Sequence, residues 1–456
     1  MSENNLTRRQ FIAGAGAAAV TLPFIDLRAS ASSERPNFVF ILTDDQRYDA
    51  MSCAGHPFLS TPNIDRIANE GARFTNAFVT TSLCAPSRSS FLTGQYVHRT
   101  GIRGNGYPLK EDMPTCPQIL QKAGYDTAHI GKWHLGDWSP RPGYNHWVSF
   151  QGLGLYRGGM LDVDGKRVPQ QGYLTDELTD YAVRWLRKPR QEPFMLWLAH
   201  KAVHGPFQPA WRHSKLYSDA KITRPANMFT PGHDEPKWLA KRRPTGHGVG
   251  DGARFDNFIR NYNRVISGID SSVGRVLSTL EELGVMDNTV IVFAGDNGYF
   301  QGEHGLTDKR AMYEESIRIP MLMRYPKLAK PGTLVDDMVL NIDLCPTMLD
   351  LAGQAIPQVV QGKSVRPTLR GHARHWREDF LYEYWQERGF METPSIRGVR
   401  TAQWKYVEYP GADDTNELYD IKHDPTEMNN LINSPAHAGR LAEMKARLER
   451  LSTETA

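Results

Sequence analysis

Phe38-Val39-Phe40-Ile41-Leu42-Thr43-Asp44-Asp45 sets an unbroken apolar run of strand length directly against two carboxylates. A run of this kind, bounded by polar residues, reads as a buried strand rather than a half-exposed one. Three more follow: Thr127-Ala128-His129-Ile130, Phe194-Met195-Leu196-Trp197-Leu198 and Val290-Ile291-Val292-Phe293-Ala294. Longer helical patterns separate them, and each ends in polar residues. The alternation predicts an α/β domain built on a largely parallel sheet flanked by helices. In open sheets of that type ligands gather beyond the carboxyl ends of the strands, so the four endings are where a site is expected.

With 456 residues, 40% hydrophobic and 23% charged, the chain is long enough for one large domain and a smaller appendage. Its formal charge of +3, without a long basic run beyond the N-terminus, argues against nucleic acid as a partner. An anionic substrate would need a local basic pocket. Residues 1–31 read as an export signal: Thr7-Arg8-Arg9-Gln10-Phe11-Ile12, an apolar stretch from Ala13 to Ile25, and Ala29-Ser30-Ala31 as a cleavage site. Paired arginines before such a stretch suggest twin-arginine export machinery as a partner and a periplasmic or secreted location. The apolar stretch is shorter than the roughly 20 residues of a spanning helix, so no stable membrane span is expected. Four cysteines, Cys53, Cys84, Cys116 and Cys345, are too few for a disulfide framework; one internal disulfide is open, its partners undetermined.

Residues 34–375 are expected to form the main domain. Within it, 205–257 is rich in Pro, Gly, His, Trp and basic residues and reads as an irregular excursion over the site. A helix is predicted through Asp343 to Ala352, closed by Gly353. Residues 376–456 carry strand-like runs, Phe380 to Trp385 and Lys405 to Tyr409, then a charged helix from Pro435. They predict a small antiparallel sheet with one helix packed on it.

The chemistry-bearing residues cluster at the predicted strand ends. Asp44 and Asp45 follow the first strand, and Asp296-Asn297 follow the run ending at Ala294. Adjacent carboxylates repel unless a cation lies between them, and three carboxylates with an amide oxygen are hard ligands suited to calcium or magnesium. Lys132 and His134 stand two positions apart in Gly131-Lys132-Trp133-His134-Leu135-Gly136, hence on one side if the backbone stays extended. His200-Lys201-Ala202-Val203-His204 follows another strand, and Gly302-Glu303-His304-Gly305-Leu306-Thr307-Asp308-Lys309-Arg310 lies further on. Finally, Cys84-Ala85-Pro86-Ser87-Arg88 opens a hydroxyl-rich stretch that can start a helix and aim backbone N–H groups at an anion.

The cysteine run, with the other segments in this order, closely resembles the type I sulfatases of the alkaline phosphatase superfamily, from about Pro36 to Gly353 and again at Leu418-Tyr419-Asp420 and Asp424-Pro425-Thr426-Glu427. In that family the cysteine is oxidised to formylglycine by a maturation enzyme. The resemblance implies Asp44, Asp45, Asp296, Asn297 and the modified Cys84 as ligands of one metal ion, calcium in preference to magnesium. It makes Arg88, Lys132 and Lys309 the clamp on the sulfate, and His134 and His204 the proton-handling residues. One departure stands out: the family often has Ala-Pro-His where this chain has Ala202-Val203-His204, so the histidine's approach is not fixed by proline.

The implied activity is hydrolysis of a sulfate ester on a sulfated carbohydrate. One hydroxyl of the formylglycine hydrate attacks sulfur, and the other later loses its proton so that inorganic sulfate leaves. The segments Tyr382–Glu387 and Thr393–Thr401 look like members that cleave the 6-sulfate of N-acetylglucosamine, and Trp385, Trp211 and Trp238 are candidates to stack on sugar rings. Two alternatives remain: a phosphonate monoester or phosphodiester hydrolase sharing the cysteine motif, and an exported glycan-binding protein whose cysteine is never modified.

Overall fold

The computed structural model describes residues 35–245, 252–371 and 373–456; the expected export signal lies outside them. Ten strands form the main sheet among these residues: β1 (Asn37–Thr43), β2 (Ala72–Phe74), β3 (Asp126–Lys132), β4 (His146–Phe150), β5 (Met160–Val163), β6 (Lys166–Pro169), β7 (Phe194–Ala199), β8 (Thr289–Gly295), β9 (Met321–Arg324) and β10 (Thr333–Val335). Their order across the sheet is β10-β2-β9-β8-β1-β7-β3-β4-β5-β6. The middle five, β8 to β4, run parallel, with Phe40 beside Val292 on one side and Trp197 on the other. Antiparallel pairing enters only towards the edges, at β9 and in the β4-β5-β6 meander.

The four predicted runs are β1, β3, β7 and β8, and all four occupy the middle of the sheet. Along β1, Phe38, Phe40 and Leu42 enter one core while Val39 and Ile41 enter another on the opposite face. Burial on both faces removes the need for polar alternation, which is why the run is continuous. Each such side chain contributes roughly 1.5–3 kcal/mol of transfer free energy. Helices α1 (Pro62–Asn69), α2 (Cys84–Thr93), α3 (Leu174–Leu186), α5 (Ala253–Glu282) and α6 (Leu344–Leu351) surround the sheet, while α4 (Lys237–Thr245) buries Trp238 and Leu239 in the core of the C-terminal strands. The first core draws Phe91 of α2 and Leu349 of α6; the second draws Ile64 of α1, Leu178 of α3 and Ile269 of α5. Gly353 closes the predicted α6 helix in the left-handed region, at φ 67°.

The described part of 205–257 holds more regular structure than its composition suggests. It contains α4 and the start of the 30-residue α5. The sequence of α4 hides its helix because Trp238, Leu239 and Arg242 are buried among cationic neighbours without a clean apolar stripe.

C-terminal strands β11 (Asp379–Tyr384), β12 (Ile396–Thr401), β13 (Trp404–Glu408) and β14 (Glu417–Asp420) form the expected antiparallel sheet. Helix α7 (Ala438–Thr455) lays Met444, Leu448 and Leu451 on it. That core also takes in Phe78, Leu83 and Tyr96, and Tyr382 meets Ser82 through a 2.5 Å hydroxyl contact. No helix among the described residues is long and apolar enough to cross a membrane.

Candidate active site

The parallel strands bring their polar endings to one place. Asp44 and Asp45 leave β1, Asp296 and Asn297 leave β8, Lys132 is the last residue of β3, and the His200–His204 loop leaves β7. Backbone bonds carry the pairing past the strands: Asp44 N–H donates to the Ala202 carbonyl at 2.9 Å, Val203 N–H to that of Asp44 at 2.7 Å, and Asp296 N–H to that of Thr43 at 2.9 Å. Cys84 opens α2 beneath these residues.

The sequence-predicted residues touch one another directly. Cys84 Sγ lies 3.3 Å from Asp44 Oδ1, and the Lys132 ammonium pairs with the other oxygen of that carboxylate. Arg88 donates through Nε to Asp296 Oδ2 at 2.9 Å and through Nη1 to the Lys132 carbonyl at 2.8 Å. Asn297 Nδ2 donates to Asp45 Oδ1 at 2.7 Å, and Lys309 Nζ lies 2.6 and 2.7 Å from the two oxygens of Asp45. His204 Nε2 stands 3.7 Å from Asp45 Oδ2, while its Nδ1 is 2.8 Å from the Gly205 carbonyl. His134 faces the same space but in the left-handed region, at φ 62°, so the chain turns after Lys132 instead of staying extended.

Burial and charge set the protonation states. Burial alone would raise the Asp44 pKa, but the charges of Lys132, Arg88 and Lys309 outweigh it and hold the carboxyl well below its usual range. Burial and the neighbouring Asp44 push Asp296 up to about 7. Burial opposes the charge on Lys309, yet Asp45 keeps its pKa far above the ordinary lysine value. Burial and Asp44 drive the Cys84 thiol far up, so the unmodified side chain is a neutral thiol and a poor nucleophile. Burial pulls both His134 and His204 down, leaving neutral imidazoles.

The oxygens of Asp44, Asp45 and Asp296 offer ligand atoms all within 4.8 Å of one another. Asn297 Oδ1 is buried without a hydrogen-bond partner. A crowded, all-oxygen donor set with an orphaned acceptor fits a hard divalent cation.

Above this cluster opens a cavity of about 720 Å³, large enough for a sugar. Asp45, His134, His204 and Lys309 line it, whereas Cys84, Arg88 and Lys132 lie behind that lining. Asn105, Asp308 and Arg310 add polar groups, and Phe207, Phe255, Phe258, Tyr299 and Phe390 form apolar walls. Sequence reading missed these residues. Asp308 and Arg310 carried a signal, as they flank Lys309; the aromatic residues carried none, since they look like core.

The three tryptophans diverge. Trp238 is packed in the C-terminal core and is corrected to a structural residue. Trp385 is half-buried with the Arg103 guanidinium 5.2 Å from its ring centre, and Trp211 is 82% exposed. All four cysteines are free thiols.

Residues 36–354 match the family model described as Sulfatase, and 302–454 match that described as N-sulphoglucosamine sulphohydrolase, C-terminal. The chain is 33% identical over 497 residues to the N-acetylglucosamine-6-O-sulfatase of Bacteroides thetaiotaomicron, covering 95% of this chain and 89% of that relative. A solved structure of a protein in complex with its substrate D-glucosamine-2-N,6-O-disulfate superposes with a TM-score of 0.87 at 32% identity, covering 92% of this chain and 98% of the other. The phosphonate monoester hydrolase of Silicibacter pomeroyi superposes with a TM-score of 0.77 at 26% identity, covering 92% and 96%.

Proposed function

Since the chain belongs to the sulfatase family of the alkaline phosphatase superfamily and is a sulfuric ester hydrolase, we propose that it removes the 6-O-sulfate of a sulfated glucosamine and releases inorganic sulfate. One observation carries the mechanism: the Cys84 thiol is 3.3 Å from Asp44 and fully buried beside the carboxylate cluster, where burial favours the neutral thiol. In this reading the residue acts after modification. Likeness to an N-acetylglucosamine-6-O-sulfatase along 95% of the chain supports this choice of substrate.

Asp44, Asp45, Asp296 and Asn297 would hold the cation, calcium in this reading, with Cys84 as a further ligand once modified. The cation would supply positive charge against the sulfate, and formylglycine from Cys84 would supply an oxygen nucleophile and a route for sulfate to leave. Arg88 and Lys132 neutralise the sulfate oxygens from behind the cavity lining, where low polarity strengthens each charge. Lys309, paired with both oxygens of Asp45, joins that clamp. His204, which lines the cavity with its Nδ1 already held by the Gly205 carbonyl, is the donor to the departing sugar oxygen, and its pKa rises when an anionic group binds beside it. His134, with a buried Nδ1 that has no hydrogen-bond partner, would be the base that takes a proton from the modified side chain.

In this reading the protein is exported to the periplasm or secreted by the twin-arginine route after a maturation enzyme has modified Cys84. The superposition with a phosphonate monoester hydrolase makes phosphorus chemistry the second reading. Sulfate release from N-acetylglucosamine-6-sulfate and from glucosamine-2-N,6-O-disulfate, compared with turnover of a phosphonate monoester, tests both. A higher kcat/KM on phosphorus would overturn the sulfatase reading of the substrate.

A further inference from the structure

The loop that carries His204 lacks the proline its relatives often use, and something else must fix the ring. Two buried side chains brace the loop, Tyr156 from outside it and Lys201 from within it. Tyr156 donates its hydroxyl to the His204 carbonyl at 2.8 Å. Lys201 Nζ reaches the Gly205 carbonyl at 3.3 Å, the same oxygen that accepts from His204 Nδ1 at 2.8 Å. The Lys201 ammonium also lies 4.9 Å from the Tyr156 ring centre, which ties the two supports together. Both residues are about 2% exposed, and neither lines the cavity.

Tyr156 is itself rigidly mounted. Its carbonyl accepts from the Gln170 side chain and from the Leu174 N–H, each at 2.9 Å, and its ring stacks on Tyr173 with centroids 5.6 Å apart. The support thus runs from the start of α3 through Tyr156 to the backbone of His204. On the other side, the Gly205 carbonyl pins the Nδ1 proton and leaves Nε2 as the nitrogen that faces the reacting group.

We propose that Tyr156 and Lys201 are positioning residues for the His204 acid, replacing the absent proline by gripping the carbonyls of His204 and Gly205. This rests on His204 being the proton donor of the proposed function. Proton transfer needs donor and acceptor within hydrogen-bond reach, and a displacement of about 1 Å can cost on the order of a hundredfold. The substrate is held elsewhere, by the charge clamp and the cavity walls. The effect should therefore fall on kcat and not on KM.

The test is a double-mutant cycle on matured protein, reading sulfate release from N-acetylglucosamine-6-sulfate. Tyr156→Phe and Lys201→Met are each expected to lower kcat by about tenfold or more with KM unchanged. In a His204→Ala background each should cost less than about twofold, because a misplaced acid that is already gone cannot be lost again. Lys201→Arg, which keeps a donor, should recover most of the rate. Additive losses in the His204→Ala background, or unchanged kcat in both single variants, would overturn the proposal. Tyr156→Phe removes one oxygen from a packed ring and keeps the cycle readable if Lys201→Met does not fold. A His204→Ala variant as fast as the parent would overturn the acid assignment and this inference with it, while leaving sulfatase activity itself intact.

Discussion

Lys309 Nζ sits 2.6 and 2.7 Å from the two oxygens of Asp45, so a single buried ammonium spans the whole carboxylate at the floor of the cavity. With burial on both partners, removing the ammonium leaves a charge that no other basic side chain among the described residues meets as closely, His204 being 3.7 Å away. Lys309→Met is expected to lower kcat by on the order of 10²–10³-fold, the cost of losing one preorganised charge donor. Sulfate release under saturating substrate measures it.

Cys84→Ala should abolish turnover while the fold persists. The side chain is small and its one polar contact is to Asp44 Oδ1, which Lys132 and Arg88 still face. Circular dichroism and a cooperative melt report the fold; sulfate release at the parent rate from a folded variant would remove the mechanism.

Arg88→Lys should behave almost as badly as Arg88→Ala, with a loss on the order of a hundredfold or more for the latter. The guanidinium reaches Asp296 and the Lys132 carbonyl at once, a fork that a single ammonium cannot reproduce. Rates for both variants decide it. An active Lys variant would show that charge alone suffices.

Chelation should remove activity and lower the melting temperature together, because Asp44, Asp45, Asp296 and Asn297 would be left crowded without their ion. A cation at a hundred times its Kd stabilises by about 2.7 kcal/mol, which calorimetry resolves. Titrating calcium and magnesium back separately identifies the native ion by the lower concentration needed.

His98 offers a pH-dependent stability term far from the chemistry. Its Nδ1 meets Glu383 at 2.6 Å and its Nε2 the Thr455 carbonyl at 2.7 Å, and only a protonated ring donates to both. Burial opposes the charge, but the Glu383 bond and charge raise the folded pKa above its usual value. The sign follows: the stabilisation is complete below the unfolded pKa, roughly 6.5, and is lost as pH rises through the folded value. Melting His98→Gln beside the parent should show a deficit at pH 6 that shrinks by pH 9.

The strands and their endings were legible because burial on both faces writes an unbroken apolar run, and a parallel sheet sends every strand's carboxyl end the same way. Asp44, Asp296 and Lys132 are therefore neighbours in space although far apart in sequence. Phe207, Phe258 and Tyr299 were not legible. An aromatic ring facing a cavity and one facing a core obey the same pattern, and only the fold decides which Trp238 and Trp211 become. The turn at His134 was hidden too, since the left-handed backbone there belongs to a residue type that gives no glycine-like warning.

Cys84 has no exposed surface, lying at the start of α2 under Asp44 and behind the residues that line the cavity. If the proposed modification is made, an external catalyst would have to reach that sulfur while the polypeptide is still open, which puts oxidation before closure. On that proposal, native protein that missed its moment would be finished but inert, and bathing it in the modifying catalyst would rescue it only after it had been unravelled.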